Sequence, residues 1–238
     1  MTAAAAASSD RTWAYGHVVV DEAQELSPMQ WRLLMRRCPM KSFTIVGDIA
    51  QASSPAAASS WAQALEPFVG ERFTLDELTI NYRTPAQIAQ AAASVARAAG
   101  YEVSAPRAVR EGQWPPLIRE VAPDAVVEQT VSVVSDEVAQ SGGALIGVIC
   151  PSSLYLETAR AVARAHADRT GTAQTALENQ VLVLTPWEAK GLEFDVVVIV
   201  EPQQLIDDAD GAVGDVYVSM TRPTQRLYLV GSRMPAGL

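Results

Sequence analysis

The apolar positions of this chain fall into two patterns: short unbroken runs, and longer stretches with helical spacing. The runs Val18-Val19-Val20, Phe43-Thr44-Ile45-Val46, residues 181–184 and residues 196–200 are rich in branched side chains, as in parallel strands covered on both faces. After the first run, Ser27 and Pro28 supply an N-cap and a first helical residue. Trp31, Leu34 and Met35 then recur on one face, and Arg36 and Arg37 suit a helix C-terminus. Further helices are predicted over residues 61–68, 85–99 (closed by Gly100), 124–140, 154–167 and 217–220, and further strands over 73–80, 117–121 and 144–150. Residues 52–60 read as a loop, 107–116 as a linker and 203–214 as an acidic loop. Strands alternating with helices predict an α/β fold of parallel sheets flanked by helices.

Composition narrows this picture only slightly. With 238 residues, 49% hydrophobic and 19% charged, the chain has enough length and apolar content for one large or two small domains. A net charge of −9 provides no basic footprint for autonomous nucleic-acid binding. Cys38 and Cys150 lack metal-site spacing and read as reduced thiols, which with the absence of a transmembrane-length apolar run implies a cytoplasmic protein without a membrane partner. The opening Met1-Thr2 and the alanines after it lack a basic leader and read as a lead-in or a truncation boundary.

The candidate chemistry sits where strands end. The first run stops on Asp21 and Glu22, where an open parallel sheet places its ligand crevice. Mg²⁺ takes oxygen ligands, usually one or two carboxylates plus phosphates. Asp21 is placed to hold such an ion and Glu22 to polarise an attacking water; an acidic helix N-cap is the alternative for the same pair. The second run ends in Gly47-Asp48-Ile49-Ala50-Gln51, so both polar clusters share one sheet edge and Gln51 can sense a terminal phosphate or position a water, or is simply a solvated loop amide. Arg83, just before a predicted helix, is placed to meet an anion or is simply a surface charge.

These segments resemble motifs II, III and IV of the superfamily 1 helicases of the UvrD/Rep type: Asp21-Glu22-Ala23-Gln24, Gly47 to Gln51, and Asn81-Tyr82-Arg83-Thr84-Pro85. Thr185-Pro186-Trp187-Glu188-Ala189-Lys190-Gly191-Leu192-Glu193-Phe194-Asp195 resembles motif V, and Tyr217-Val218-Ser219-Met220-Thr221-Arg222-Pro223 motif VI. The order is the family's, over roughly residues 17–231, and the spacing looks most like the actinobacterial helicase IV-like branch. The resemblance implies a P-loop NTPase fold with RecA-like sheets: residues 1–82 as the C-terminal part of a first domain and 83–238 as a complete second. It also implies an ATP-dependent helicase or translocase that uses ATP and Mg²⁺ and acts on single-stranded or duplex DNA. Arg222 is then the arginine that neutralises charge on the transferred phosphoryl group, with Arg83 as a second phosphate sensor. Tyr82 would stack on adenine, or else is an ordinary packed aromatic, and Gly191 and Glu193 would lie near the nucleotide. Asp195 opens the next strand, where a structural cap is an equal reading.

The pattern also departs from the family. No G-x-x-x-x-G-K-[ST] phosphate loop occurs, so the chain looks like the C-terminal part of a longer protein, with little ATP turnover expected of this piece. Trp187 stands where motif V usually carries a DNA-contacting His beside Thr185; it either stacks on a base or packs inside. The interval between Arg83 and Thr185 is too short for the large accessory domain of many relatives. Alternatives are an ATPase of the same fold that binds RNA polymerase and releases it from nucleic acid, favoured by the acidic balance, and a non-catalytic scaffold.

Overall fold

The computed structural model describes residues 13–52, 58–100, 107–172, 178–208 and 213–238. The alanine-rich opening, most of the loop at 52–60 and part of the acidic stretch at 203–214 lie outside the described residues. The chain divides into two compact units, Met1–Asp76 and Glu77–Leu238.

In the first unit, β1 (Val18–Val20) and β2 (Phe43–Ile45) pair in parallel, joined by α1 (Pro28–Arg37) and followed by α2 (Trp61–Val69). The start of α1 is fixed locally. Ser27 Oγ accepts the Gln30 N–H at 3.3 Å while Gln30 Oε1 accepts the Ser27 N–H at 2.8 Å, a reciprocal cap with Pro28 in the first turn. Val20, Trp31, Met35, Ala64 and Leu65 form the core between the strands and the two helices.

The second unit is built on a six-stranded parallel sheet in the order β5 (Leu117–Glu120), β10 (Pro223–Gly231), β9 (Phe194–Val200), β6 (Ile146–Ile149), β8 (Val181–Leu184), β7 (Thr170–Gly171). Val148, Val183, Val196, Val198 and Val230 pack on one face against Val133 and Val134 of α4 (Val126–Gln140) and Val162 of α5 (Ser152–Ala165). The alternate positions Leu182, Leu184, Val197, Ile199 and Leu229 are equally buried, so both faces are covered and the strands read as continuous apolar runs. Gly147 is the exception that packing requires: a Cβ there would lie 2.8 Å from the ring of the fully buried Phe194.

Three expectations are corrected. Of residues 73–80, only Ile80–Asn81 is strand (β3), because its partner β4 offers just Arg107–Ala108. The same pairing gives the expected linker at 107–116 an ordered start. The expected acidic loop at 203–214 begins with a helix, α6 (Pro202–Asp207), and α7 (Val213–Met220) starts near its end. Pro202 sits at the first helical position of α6, Leu205 is buried, and Gln203 Nε2 donates to Asp207 Oδ1 at 2.7 Å one turn on. The helix after Asn81-Tyr82-Arg83-Thr84-Pro85 is α3 (Ala86–Ala98).

One polar cluster is built into the second unit's core. Glu137 on α4 is fully buried; its Oε2 pairs with Arg226 Nη2 at 2.9 Å and its Oε1 accepts the Tyr228 hydroxyl at 2.7 Å, both partners on β10. Burial, then the bond to Glu137, push the Tyr228 phenol from an ordinary 10.0 up to about 12. The folded state therefore favours the neutral phenol. The stabilisation is complete below pH 10 and is lost as pH rises through about 12. Wild type should exceed Tyr228→Phe in urea stability at neutral pH, and the gap should close across that window. Removing the acid itself (Glu137→Ala) should cost about 3 kcal/mol, since Arg226 and Tyr228 are left without their partner.

Candidate functional site

In the first unit, in-register pairing of Val18 with Phe43 and of Val20 with Ile45 brings both carboxyl ends to one edge. The Val46 N–H donates to Val20 O at 2.8 Å and the Ala23 N–H to Val46 O at 3.1 Å, so the two exits stay together. Asp21 is exposed there, with Oδ1 accepting the Glu22 N–H at 2.9 Å. Glu22 adopts the left-handed backbone conformation, φ 49° and ψ 39°. That costs an L side chain about 1–3 kcal/mol and persists only where neighbours enforce it.

The enforcing neighbour is Gln24. Its buried side chain donates Nε2 to Glu22 Oε2 at 2.5 Å and accepts the Asp48 N–H at Oε1, 3.1 Å away. Gln51, in a single 3-10 turn over Ile49–Gln51, donates Nε2 to Asp48 Oδ2 at 2.9 Å. Glu22, Gln24, Asp48 and Gln51 thus form one hydrogen-bonded chain across the ends of β1 and β2. Gly47 makes room for it: a Cβ would collide with Gln24 Oε1 and lie 2.9 Å from the Trp61 ring. Sequence reasoning gave Gln24 and Asp48 no role. The signal available was the glycine, which in a strand exit marks a close approach.

The donor set fits Mg²⁺. Asp21 is an exposed carboxylate at a parallel strand's end. Among the described residues there is no group of three or more His, Cys, Asp or Glu that would form a protein-only cage. A hard cation there would hold Asp21 and take its other ligands from water and phosphate. The residues that would cradle a nucleotide's phosphates are not in this sequence.

In the second unit, three sequence-predicted segments meet at the amino ends of β9 and β10. Arg83 Nη1 pairs with Glu193 Oε1 at 3.0 Å, both half exposed. Thr84 Oγ1 donates to Thr221 O at 3.2 Å across 137 residues of sequence. The Phe194 N–H donates to Arg222 O at 3.2 Å, and Pro223 is in register with Phe194. Asn81 Oδ1 accepts the Arg83 and Thr84 N–H groups at 3.0 and 3.1 Å, which fixes the turn that presents Arg83. An exposed ion pair contributes only about 0–1 kcal/mol, so Glu193 can give up Arg83 to an anion at little cost.

Arg222 is 5% exposed, its Nε donating to Val218 O at 3.1 Å along the last turn of α7. Tyr82 is exposed, not packed. Gly191 has φ 73°, a conformation that suits glycine, with open space where a Cβ would be. Asp195 acts as the structural cap: Oδ2 accepts the Leu145 N–H at 2.9 Å and Oδ1 accepts Gln225 Nε2 at 2.7 Å, which ties the starts of β6, β9 and β10.

Thr185 and Trp187 lie elsewhere, in the turn that leaves the carboxyl end of β8. Glu188 Oε2 accepts the Thr185 N–H and hydroxyl at 2.9 and 3.0 Å. Trp187 is 64% exposed with Lys190 Nζ 5.1 Å from its ring centroid, which decides against buried packing. The nearby Cys150 thiol is pushed up to about 12 by burial, so it is no nucleophile.

No known protein family and no curated protein matches the chain. Among solved structures it is similar to the C-terminal domain of a possible DNA helicase from Lactobacillus strain WCFS1, at 22% identity over 63% of this chain and 87% of that one, TM-score 0.49. It is also similar to the PRRSV helicase, at 14% identity over 90% of this chain and 34% of that one, TM-score 0.49. A third is the arterivirus nonstructural protein 10 helicase, solved with DNA, at 18% identity over 92% of this chain and 40% of that one, TM-score 0.46. The chain therefore spans well under half of each viral helicase.

Proposed function

We propose that this chain carries part of the machinery of an ATP-driven nucleic-acid motor of the UvrD/Rep type. The observation that carries the reading is the convergence of Arg83, Glu193 and the Thr221-Arg222 backbone at one edge of the second unit. The exposed Arg83–Glu193 pair adds little stability, whereas the Arg83 guanidinium offers a fork that matches phosphate oxygens. The acidic edge of the first unit, taken by itself, carries Asp21 as the residue for Mg²⁺, Glu22 to polarise water and Gln51 to report on the terminal phosphate. ATP, when bound, would supply the electrophilic phosphorus and Mg²⁺ would offset the phosphate charge; Asp21 would hold the ion, Glu22 would orient water, and Arg83 and Arg222 would balance anionic oxygens.

The exposed Trp187 supports contact with a strand, since bases stack on aromatic faces in sequence-tolerant binding. The test is ATP turnover by the full gene product with and without single-stranded DNA. Turnover should rise with the strand, and Trp187→Ala should weaken strand affinity by about 1–3 kcal/mol. Strand-independent turnover, or unaltered affinity in the variant, removes the motor reading. This chain by itself should hydrolyse no ATP, lacking the phosphate loop.

A further inference from the structure

The first unit carries a surface that neither sheet edge uses. Met29, Arg32, Leu33, Met35 and Arg36 of α1, with Phe68 of α2, line an open groove of about 370 Å³. Met29 and Leu33, one turn apart, are 61% and 53% exposed, and Met40 just past the helix is 80% exposed. A soluble helix normally turns such residues inward. Here Trp31 and Met35 already fill the inward face, so the apolar residues outside form a second one. Methionine is a flexible filler, common on surfaces that bind helices.

The charge around the groove is as unusual as its floor. In a chain of net charge −9, the stretch between Leu26 and Asp48 holds Arg32, Arg36, Arg37 and Lys41 and no carboxylate. Arg37 Nη1 is engaged by Trp13 O at 3.1 Å and Lys41 Nζ by Phe68 O at 2.5 Å, while Arg32 and Arg36 are exposed beside the apolar floor. Phe68, the aromatic of the groove, is half-buried against the unit's core, and the exposed floor is otherwise methionine and leucine, so it suits aliphatic knobs better than nucleobases.

We propose that this groove docks an amphipathic helix of a protein partner, with Leu, Ile, Met or Phe knobs seated between Met29, Leu33 and Phe68, and Asp or Glu on its flank facing Arg32 and Arg36. The surface is separate from the edge that carries Asp21 and Glu22, and the proposal stands whether or not this chain belongs to a motor.

The probe is a display library of randomised helical peptides, selected on the immobilised full chain. The enriched peptides should carry acidic residues beside an apolar stripe. Their binding should fall about ten-fold or more on Arg32→Glu/Arg36→Glu, because like charges then face each other. It should fall similarly on Met29→Gln/Leu33→Gln, which leaves the inward core untouched. Circular dichroism melting of both variants checks that they fold. In the complex, the Met29 and Met40 methyl resonances should shift. Failure to enrich any peptide overturns the proposal, as does enrichment of basic peptides or equal binding to the charge-reversed chain. So does a single-stranded oligonucleotide that shifts the same methyls, or sedimentation showing a dimer that Leu33→Gln dissociates: the occupant is then nucleic acid or a second copy.

Discussion

In the full gene product, Arg222→Ala should lower strand-stimulated ATP turnover by about 10³-fold or more, the scale set by arginines that neutralise a transferring phosphoryl group. The side chain is also part of the fold, since Nε donates to Val218 O and the residue is buried. Two readouts separate these roles. If Arg222 serves phosphate, Arg222→Lys keeps most of the urea stability yet stays deficient in turnover, because a point charge cannot make the fork. If it serves only α7, stability and turnover fall together and lysine restores both. Arg83→Ala should have a smaller effect on turnover and almost none on stability, given the exposure of its pair with Glu193.

Glu22→Gln should leave ATP binding intact and reduce turnover by about 10²–10⁴-fold, the range for loss of a positioned general base. The substitution suits the local geometry. An amide at position 22 still accepts from Gln24 Nε2, so the links through Asp48 to Gln51 survive, as does the left-handed backbone they impose. What disappears is the negative charge proposed to draw a proton from water. Glu22→Gly offers a harsher variant: the backbone strain is relieved, but the buried Gln24 Nε2 loses its acceptor, so the two effects on stability oppose each other while turnover is lost. A strained residue kept at a sheet edge is the signature expected of a site in which stability yields to activity.

Much of this was readable from the sequence because it is local. A branched run that stops on Asp21-Glu22, and another that stops on Gly47-Asp48, fix two strand exits without knowledge of the rest. Ser27-Pro28 announces a helix start. The buried sheet of the second unit shows as unbroken valines and leucines, since its strands are covered on both faces. What escaped the sequence is non-local. Whether Trp187 is inside or outside depends on what packs over the turn, which periodicity does not encode. The Glu137, Arg226 and Tyr228 cluster joins groups up to 91 residues apart, and nothing in either segment alone marks it. The six residues of α6, with Asp207 their one carboxylate, were hidden by the Asp- and Gly-rich sequence that follows them, although Pro202 and buried Leu205 hold them as a helix. Gln24 was legible only as one letter of a motif; its function as the link between the two strand exits appears when Gly47 is seen to make space for it.

The account rests most heavily on γ-phosphate chemistry at the Asp21-Glu22 edge. Its most direct test is single-turnover phosphate release by the full gene product with saturating single-stranded DNA, wild type beside Glu22→Gln, with ATP affinity measured in parallel. The account predicts rapid release by wild type and about 10²-fold or slower release by the variant at equal ATP affinity. Equal release by both proteins, or none by wild type with ATP bound, would contradict it.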